Sequence, residues 1–319
     1  MLTVLLATRN RSGILRSVLE SYCLLQSPLN GWKLVVVDNG STDDTPGVLA
    51  SFRNRLPLTS LSEPTLGKNC ALNTGLEFVD GDLAVFADDD AFPNPDWLVR
   101  LEEAAEKYSA CSMFGGKIVP RWEAPPPPWI GWLELGPIFT VTPPTLREGE
   151  LPSEMVPNIY GPNMAIRADV FRSGIRFDTS IGPRGSSYPM GSETELLVRL
   201  SRQGHRACHV QSAIVEHFVR KEQMDKTWVL QRAIRLGRGR FRMSPHVKLW
   251  MGVPRHLFRD IPRELSSMAL AALSFREDAV FLSRWRLNIL RGKAVEARTM
   301  TREQRAAALP TGPDAREQH

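Results

Sequence analysis

Three short apolar runs, each ending in a cluster of polar residues, constrain this chain more than any other feature. Residues 2–7 (LTVLLA) run into Thr8-Arg9-Asn10, residues 33–37 (KLVVV) into Asp38-Asn39-Gly40, and residues 83–87 (LAVFA) into Asp88-Asp89-Asp90. Runs this short and apolar at nearly every position, the second of them rich in β-branched side chains, read as strands buried on both faces, as in a parallel sheet. Helical patterns separate them. Ser12 is placed to cap a helix carrying Ile14, Leu15, Val18, Leu19 and Tyr22 on one face. The turn DNGSTDDT leads into a helix over 45–53, and residues 66–78 (LGKNCALNTGLEF) open with a glycine and read as another. Strand and helix alternating in this way predict an α/β fold on a mostly parallel sheet flanked by helices. Ligands in such folds bind at the carboxyl ends of the strands, where all three polar clusters fall.

The rest of the chain continues the pattern less regularly. Pro95 is set to start a helix with Trp97, Leu98, Leu101 and Ala105 on one face, and 111–119 is strand-like. Residues 120–160 read as an irregular excursion, because four consecutive prolines at 125–128 fit neither helix nor central strand. Strand character returns at 160–167. SETELLVRLSRQG is helical and stops at Gly204, and two short strands are expected near 206–210 and 213–218, the second ending at His217. Beyond 219 the chain is helical and basic. Leu257, Ile261, Leu265, Met268 and Ala272 recur at helical spacing, as do Phe281, Leu282, Trp285 and Ile289. From about 300 the composition is polar and reads as a flexible tail.

Charge divides the chain in the same place. Residues 1–218 carry 19 Lys and Arg against 25 Asp and Glu, a balance of −6, whereas 219–319 carry 21 against 10, a balance of +11. A basic C-terminal third suits an anionic surface. The 4 cysteines, at 23, 70, 111 and 208, form no CxxC pair, which argues against a disulfide scaffold or a structural zinc module. Charged residues interrupt every apolar stretch before the roughly 20 residues a membrane span needs. The opening MLTVLLATRNRSG lacks the basic region and apolar length of a signal peptide. A cytoplasmic location is expected, with peripheral attachment to the inner face of the cell membrane as an extension of it.

Asp88-Asp89-Asp90 is the strongest chemical feature. Three adjacent carboxylates repel one another unless cations share the charge, and hard divalent ions take carboxylate oxygens while keeping positions open for phosphate. With TRNRSG, VVVDNGSTDDT, GKNCALNTGL, FADDDAFPNPDWL, GPNMAIRADVF and GSETELLVRLSRQG ending at VEH, all in order over residues 1 to about 218, the chain resembles the family-two glycosyltransferases of GT-A fold.

That resemblance implies a Rossmann-like, mostly parallel sheet with a nucleotide-sugar half (1–119) and an acceptor half (120–218). A basic helical extension (219–299) and a tail (300–319) follow. It implies a nucleotide-diphosphate sugar donor, a UDP-sugar first among them, contacted by Thr8, Arg9, Asp38, Lys68, Asp88 and Asp89. It implies Mg2+ or Mn2+ on Asp90 and His217. Asn73 is expected to tie its helix to the Asp88 turn. Where relatives carry Gly-Glu-Asp before Thr-Glu-Leu, this chain reads Gly191-Ser192-Glu193-Thr194-Glu195-Leu196. Glu193 therefore stands at the position of the catalytic base. Glu195 is its rival, about 200° away around a helix. The acceptor is expected to be a saccharide or a lipid-linked hydroxyl. Trp122, Trp129 and Trp132 could stack on it or simply cover the sheet. The stripe of Phe281, Leu282, Trp285 and Ile289, bordered by arginines, could lie on an anionic membrane or pack on the protein.

Other chemistries fit less well. A dinucleotide oxidoreductase needs G-x-G-x-x-G after the first strand, and a nucleotidyltransferase needs a Gly-rich basic loop there; TRNRSG is neither. A nucleic-acid-binding protein could use RAIRLGRGRFR, but the acid triplet and Glu193 would then have no purpose.

Overall fold

The computed structural model describes residues 1–185, 188–244 and 247–300. Two compact units emerge. Among the described residues, one comprises 1–126, 134–185 and 192–221, the other 127–133, 188–191, 222–244 and 247–300.

In the first unit the expected alternation holds. β1 (Leu2–Thr8), α1 (Ser12–Tyr22), β2 (Trp32–Asp38), α2 (Thr45–Phe52), β3 (Leu58–Ser62), α3 (Lys68–Leu76) and β4 (Leu83–Asp88) form its first part. β5 (Ala91–Pro93), α4 (Trp97–Lys107), β6 (Cys111–Trp122), α5 (Leu135–Phe139), β7 (Gly149–Leu151), β8 (Met164–Arg167), α6 (Ala168–Arg172), α7 (Ser192–Arg202) and β9 (Arg206–Val219) follow. One sheet runs in the order β3-β2-β1-β4-β8-β6-β9-β5, with β7 added on β9. β3, β2, β1 and β4 are mutually parallel. β8 is antiparallel to both its neighbours, and β6 and β9 are parallel.

Alternate residues of each central strand face opposite cores, which is why the strands read as unbroken apolar runs. Val4, Leu6, Val36 and Val85 pack with α1, α2 and α4. Leu5, Val35, Val37 and Phe86 pack with α3, α6 and α7. The cysteines are free, and burial pushes the Cys208 thiol up to about 12, so it is inert rather than reactive.

Local departures have local causes. Ser12 is the first helical residue rather than the cap. Its N–H donates to the Asp43 carboxylate at 2.9 Å, and a charged acceptor from a neighbouring loop outcompetes a hydroxyl. β3 escaped prediction because it is a short, largely polar edge strand. The two expected strands after residue 205 are one strand, β9, whose register against β6 slips between Gly116 and Lys117, so that Ile214 rather than residue 211 follows Val210 in the ladder. Residues 160–163 turn instead of extending. This turn places Asn163, wholly buried, against the slip: its amide donates to the carbonyls of Ala213 and Lys117 (2.8 and 3.0 Å), and its oxygen accepts from the Trp97 indole N–H at 2.8 Å. Within 120–160, the excursion holds α5 and β7, and Trp122 stands edge-on against Phe139 as cover.

The second unit is built from α8 (Lys226–Arg242), a two-stranded ribbon of β10 (Leu249–Trp250) and β11 (Val253–Pro254), α9 (Leu257–Leu273) and α10 (Glu277–Thr299). α8 and α10 approach closely. A Cβ on Gly237 would lie 2.0 Å from the Ile289 carbonyl oxygen, and one on Gly292 would lie 2.1 Å from that of Ile234. Glu296, with no exposed surface, accepts from Arg238 at 2.6 Å and from Arg242. The stripe offered to a membrane is corrected here. Phe281, Trp285 and Ile289 are 5, 8 and 8% exposed, so they belong to the interior of this unit. Trp129 packs edge-on against Phe281, and the Lys226 ammonium lies over both Trp129 and Trp132. Among the described residues no helix is long and apolar enough to cross a membrane. Met300 is buried beside Phe241 and Ala297, and the rest of the expected tail, 301–319, lies outside the described residues.

Replacing Asn163 by Ala strands the buried Trp97 N–H and two carbonyls. The cost to the unfolding free energy should be on the order of 3 kcal/mol, read by chemical denaturation; a loss below about 1 kcal/mol would mean the amide is not what holds the register slip.

Candidate active site

Strand register gathers the site. Thr8 pairs with Asp38 across β1 and β2, and Ala7 with Asp88 across β1 and β4, so the three polar clusters end at one edge of the sheet. β5 then runs antiparallel to β9 with Ala91 opposite His217, and the Phe218 N–H donates to the Asp90 carbonyl at 2.9 Å. A residue 127 positions away is thereby fixed beside the acid triplet.

A cavity of about 450 Å³ opens at this edge, lined by Thr8, Arg9, Lys68, Asp88, Asp89 and Asp90 among others. Each carboxylate of the triplet has its own partner. Asp88 takes the Lys68 ammonium at 2.6 Å. Asp89 takes the Thr8 hydroxyl at 2.8 Å. Asp90 takes the Arg11 guanidinium at 2.9 Å, with His217 Nε2 at 3.4 Å and Arg220 at 3.8 Å. Burial pushes Asp89 up to about 6, its like-charged neighbours adding to the rise against the pull of Arg11 and Thr8. Burial raises Asp88 too, against Lys68. At Asp90 the same burial is outweighed by His217 and Arg11, which hold the carboxyl well below its usual range. Burial alone would lower His217, but Asp90 raises it.

His217 is oriented from behind. Its Nδ1 bonds to the Phe139 carbonyl at 2.7 Å, an acceptor, so Nδ1 carries a proton and Nε2 is the atom turned to the acids. One ligand atom each from Asp88, Asp90 and His217 lie within 4.8 Å of one another. Two carboxylates and an imidazole are a donor set that fits Mg2+ or Mn2+.

Glu193, in the first turn of α7, accepts from the same Lys68 at 2.6 Å. Lys68 thus bridges Glu193 and Asp88. Burial opposes the ammonium, yet the two carboxylates raise it, so it stays charged. Glu195 is turned away, held by Arg199 at 2.8 and 3.1 Å.

Two expectations fall outside this cluster. Asp38 is absent from the cavity lining; its carboxylate accepts the Ser41 N–H at 3.0 Å and shapes the turn after β2. Asn73 does not reach the Asp88 turn. It exchanges two 2.9 Å bonds with the backbone of Phe177. Sequence reading also passed over Arg11 and Arg220. Arg11 lay inside TRNRSG, two residues beyond Arg9, but only the start of α1 aims it back at Asp90. Arg220, three residues after His217, carried no signal of its own.

The sequence profile of glycosyl transferase family 2 matches residues 3–174, and the chain belongs to that family. It is 26% identical over 211 residues to the glucosyl-dolichyl phosphate glucuronosyltransferase of Haloferax volcanii, covering 63% of this chain and 64% of that one. It is 26% identical over 218 residues to the succinoglycan biosynthesis protein ExoM of Rhizobium meliloti, covering 64% and 62%. The match thus spans under two-thirds of the length of either relative. In fold it is similar to the mannosyltransferase PcManGT of Pyrobaculum calidifontis, solved with GDP-Man and Mn2+. The TM-score is 0.65 at 19% identity, over 92% of this chain and 86% of that one. It is also similar to S. aureus TarS 1-349 in complex with UDP-GlcNAc, with a TM-score of 0.54 at 16% identity over 73% and 66%. Both likenesses support the GT-A architecture.

A divalent ion must displace the His217 proton to use Nε2. Mn2+ affinity, followed by calorimetry, should therefore rise with pH as His217 deprotonates, above the ordinary 6.5 of an imidazole. Asp90→Ala should abolish Mn2+ binding with the fold intact by circular dichroism; unchanged affinity in that variant would remove Asp90 from the ligand set.

Proposed function

We propose that the chain transfers a sugar from a nucleotide-diphosphate donor to an acceptor hydroxyl with inversion at the anomeric carbon. The observation that carries this reading is one half-buried lysine bridging two carboxylates of different roles. On one side is the acid triplet in a cavity of about 450 Å³, and on the other Glu193 at a helix start. The cavity presents cations and carboxylates together, as a diphosphate with a divalent ion requires.

In this mechanism Thr8, Arg9 and Asp88 hold the nucleoside end, with Asp38 acting through the turn it shapes. Asp89 stays bonded to Thr8. Glu193 accepts the proton of the acceptor hydroxyl as its oxygen attacks the anomeric carbon. The bond from that carbon to the diphosphate oxygen breaks, and the electron pair leaves with the diphosphate. Lys68 and Arg11 stand beside the departing charge. A divalent ion held by Asp90 and His217 would supply further positive charge to the same group. No covalent enzyme intermediate is needed.

A UDP-sugar is the first donor to test, followed by GDP- and dTDP-sugars, since the solved neighbours hold UDP-GlcNAc in one case and GDP-Man in the other. The names of the relatives favour a lipid-linked or polysaccharide acceptor. We assign catalysis to residues 1–218 and treat 219–299 as a helical extension.

Glu193→Gln should keep donor binding and lose transfer by a factor on the order of 10²–10⁴. Glu195→Gln, confined to the pair with Arg199, should stay near wild type. The reverse pattern would make Glu195 the base.

A further inference from the structure

The second unit presents a different apolar surface from the one its buried stripe suggested. On α9 the half-buried and buried positions, Leu257, Ile261, Met268 and Ala271, share one side. Phe258, Pro262, Leu265, Ala269, Ala272 and Leu273 fall within a sector of about 100° on another, and every one of them is exposed. Phe258, Leu265 and Leu273 are 45, 45 and 78% exposed. Trp250, itself 55% exposed, lies edge-on to Phe258 with ring centroids 4.5 Å apart and extends the surface onto the β10–β11 ribbon.

Both ends of α9 repeat the theme. Met251 before it and Phe275 after it have φ of 48° and 54°, a backbone region unfavourable for bulky side chains. They are 75 and 93% exposed. Strain that holds large apolar side chains in water stabilises nothing within the unit. Soluble proteins rarely expose apolar surface this continuous without a partner for it.

Charge identifies the partner. Arg259 beside the apolar sector, and Arg255 and Arg276 just beyond the two ends of α9, are all exposed, while the acids of α9, Asp260 and Glu264, lie toward its half-buried side. Residues 222–300 carry sixteen Lys and Arg against seven Asp and Glu. We propose that this face of α9, with Trp250, Met251 and Phe275, seats the protein on an anionic lipid bilayer, apolar side chains in the interface and arginines among the head groups. The proposal adds to the transferase reading without depending on it.

The test is co-sedimentation of the full-length protein with phosphatidylglycerol-containing vesicles, beside phosphatidylcholine vesicles. Binding should occur on the anionic vesicles at low salt, weaken as salt is added, and be lost in Leu265→Glu/Leu273→Glu, whose melting curve should match wild type because both sites are exposed. Sugar transfer to a soluble acceptor should be unchanged in that variant, and vesicle binding unchanged in Glu193→Gln, so the two readings fail separately. Absence of binding at low salt, or binding retained in the double variant, overturns the proposal. So does a wild-type dimer by light scattering that the double variant dissociates, which would make a second copy the occupant.

Discussion

Three consecutive carboxylates at the end of a buried strand cannot keep their charge without help, and the site is organised around that requirement. At separations of a few ångströms and reduced solvation their mutual repulsion costs several kcal/mol. The protein answers with Lys68 on Asp88, Thr8 on Asp89, and Arg11 with His217 on Asp90. The partners come from the start of α3, the end of β1, the loop before α1 and the far end of β9. Each must be delivered by the sheet register, so the fold and the charge balance are one constraint. The cationic partners are also groups that hold phosphate, which is why the cavity offers both signs.

Much of this was legible in the sequence because burial on both faces writes itself as unbroken apolar runs. β1, β2 and β4 were visible, as were the polar clusters at their ends and their convergence at one edge. What was hidden depends on contacts distant in sequence. Nothing near Asn163 indicates that its amide must close a register slip between β6 and β9. Nothing near Asp43 indicates that it takes the N–H of Ser12. Asn73 was recognised as a tether but assigned the wrong anchor, since the Phe177 backbone it meets is 104 positions away. Arg11 was missed because the direction of a side chain at a helix start depends on the turn before it.

The second unit shows a different limit. Two stripes with the same helical spacing and the same arginine borders behave oppositely. Phe281, Trp285 and Ile289 are buried, whereas Phe258, Leu265 and Leu273 are exposed. Periodicity identifies an apolar side but not what covers it. Phe281 is covered by Trp129, and α8, brought close by two glycines, lies against α10. Gly237 and Gly292 allow α8 and α10 to close to a distance that admits no side chain between their backbones. Burying Glu296 there is tolerable only because two arginines meet it, and removing either sign would leave a charge without a partner.

The glutamate at position 193 depends on the same kind of close fit. Its side chain leaves the first turn of α7 and needs room opposite it to reach Lys68. Gly161 supplies the space: a Cβ there would lie 2.5 Å from Glu193 Oε1 and 2.8 Å from its Cγ. The Glu193 side chain therefore lies against bare backbone, and its carboxylate meets Lys68 at 2.6 Å. Gly161 opens the GPN turn whose Asn163 locks β6 to β9, so one short turn fixes both the sheet that carries His217 and the room in which Glu193 stands. A side chain at position 161 would have to push the carboxylate off Lys68 or move the turn that holds Asn163.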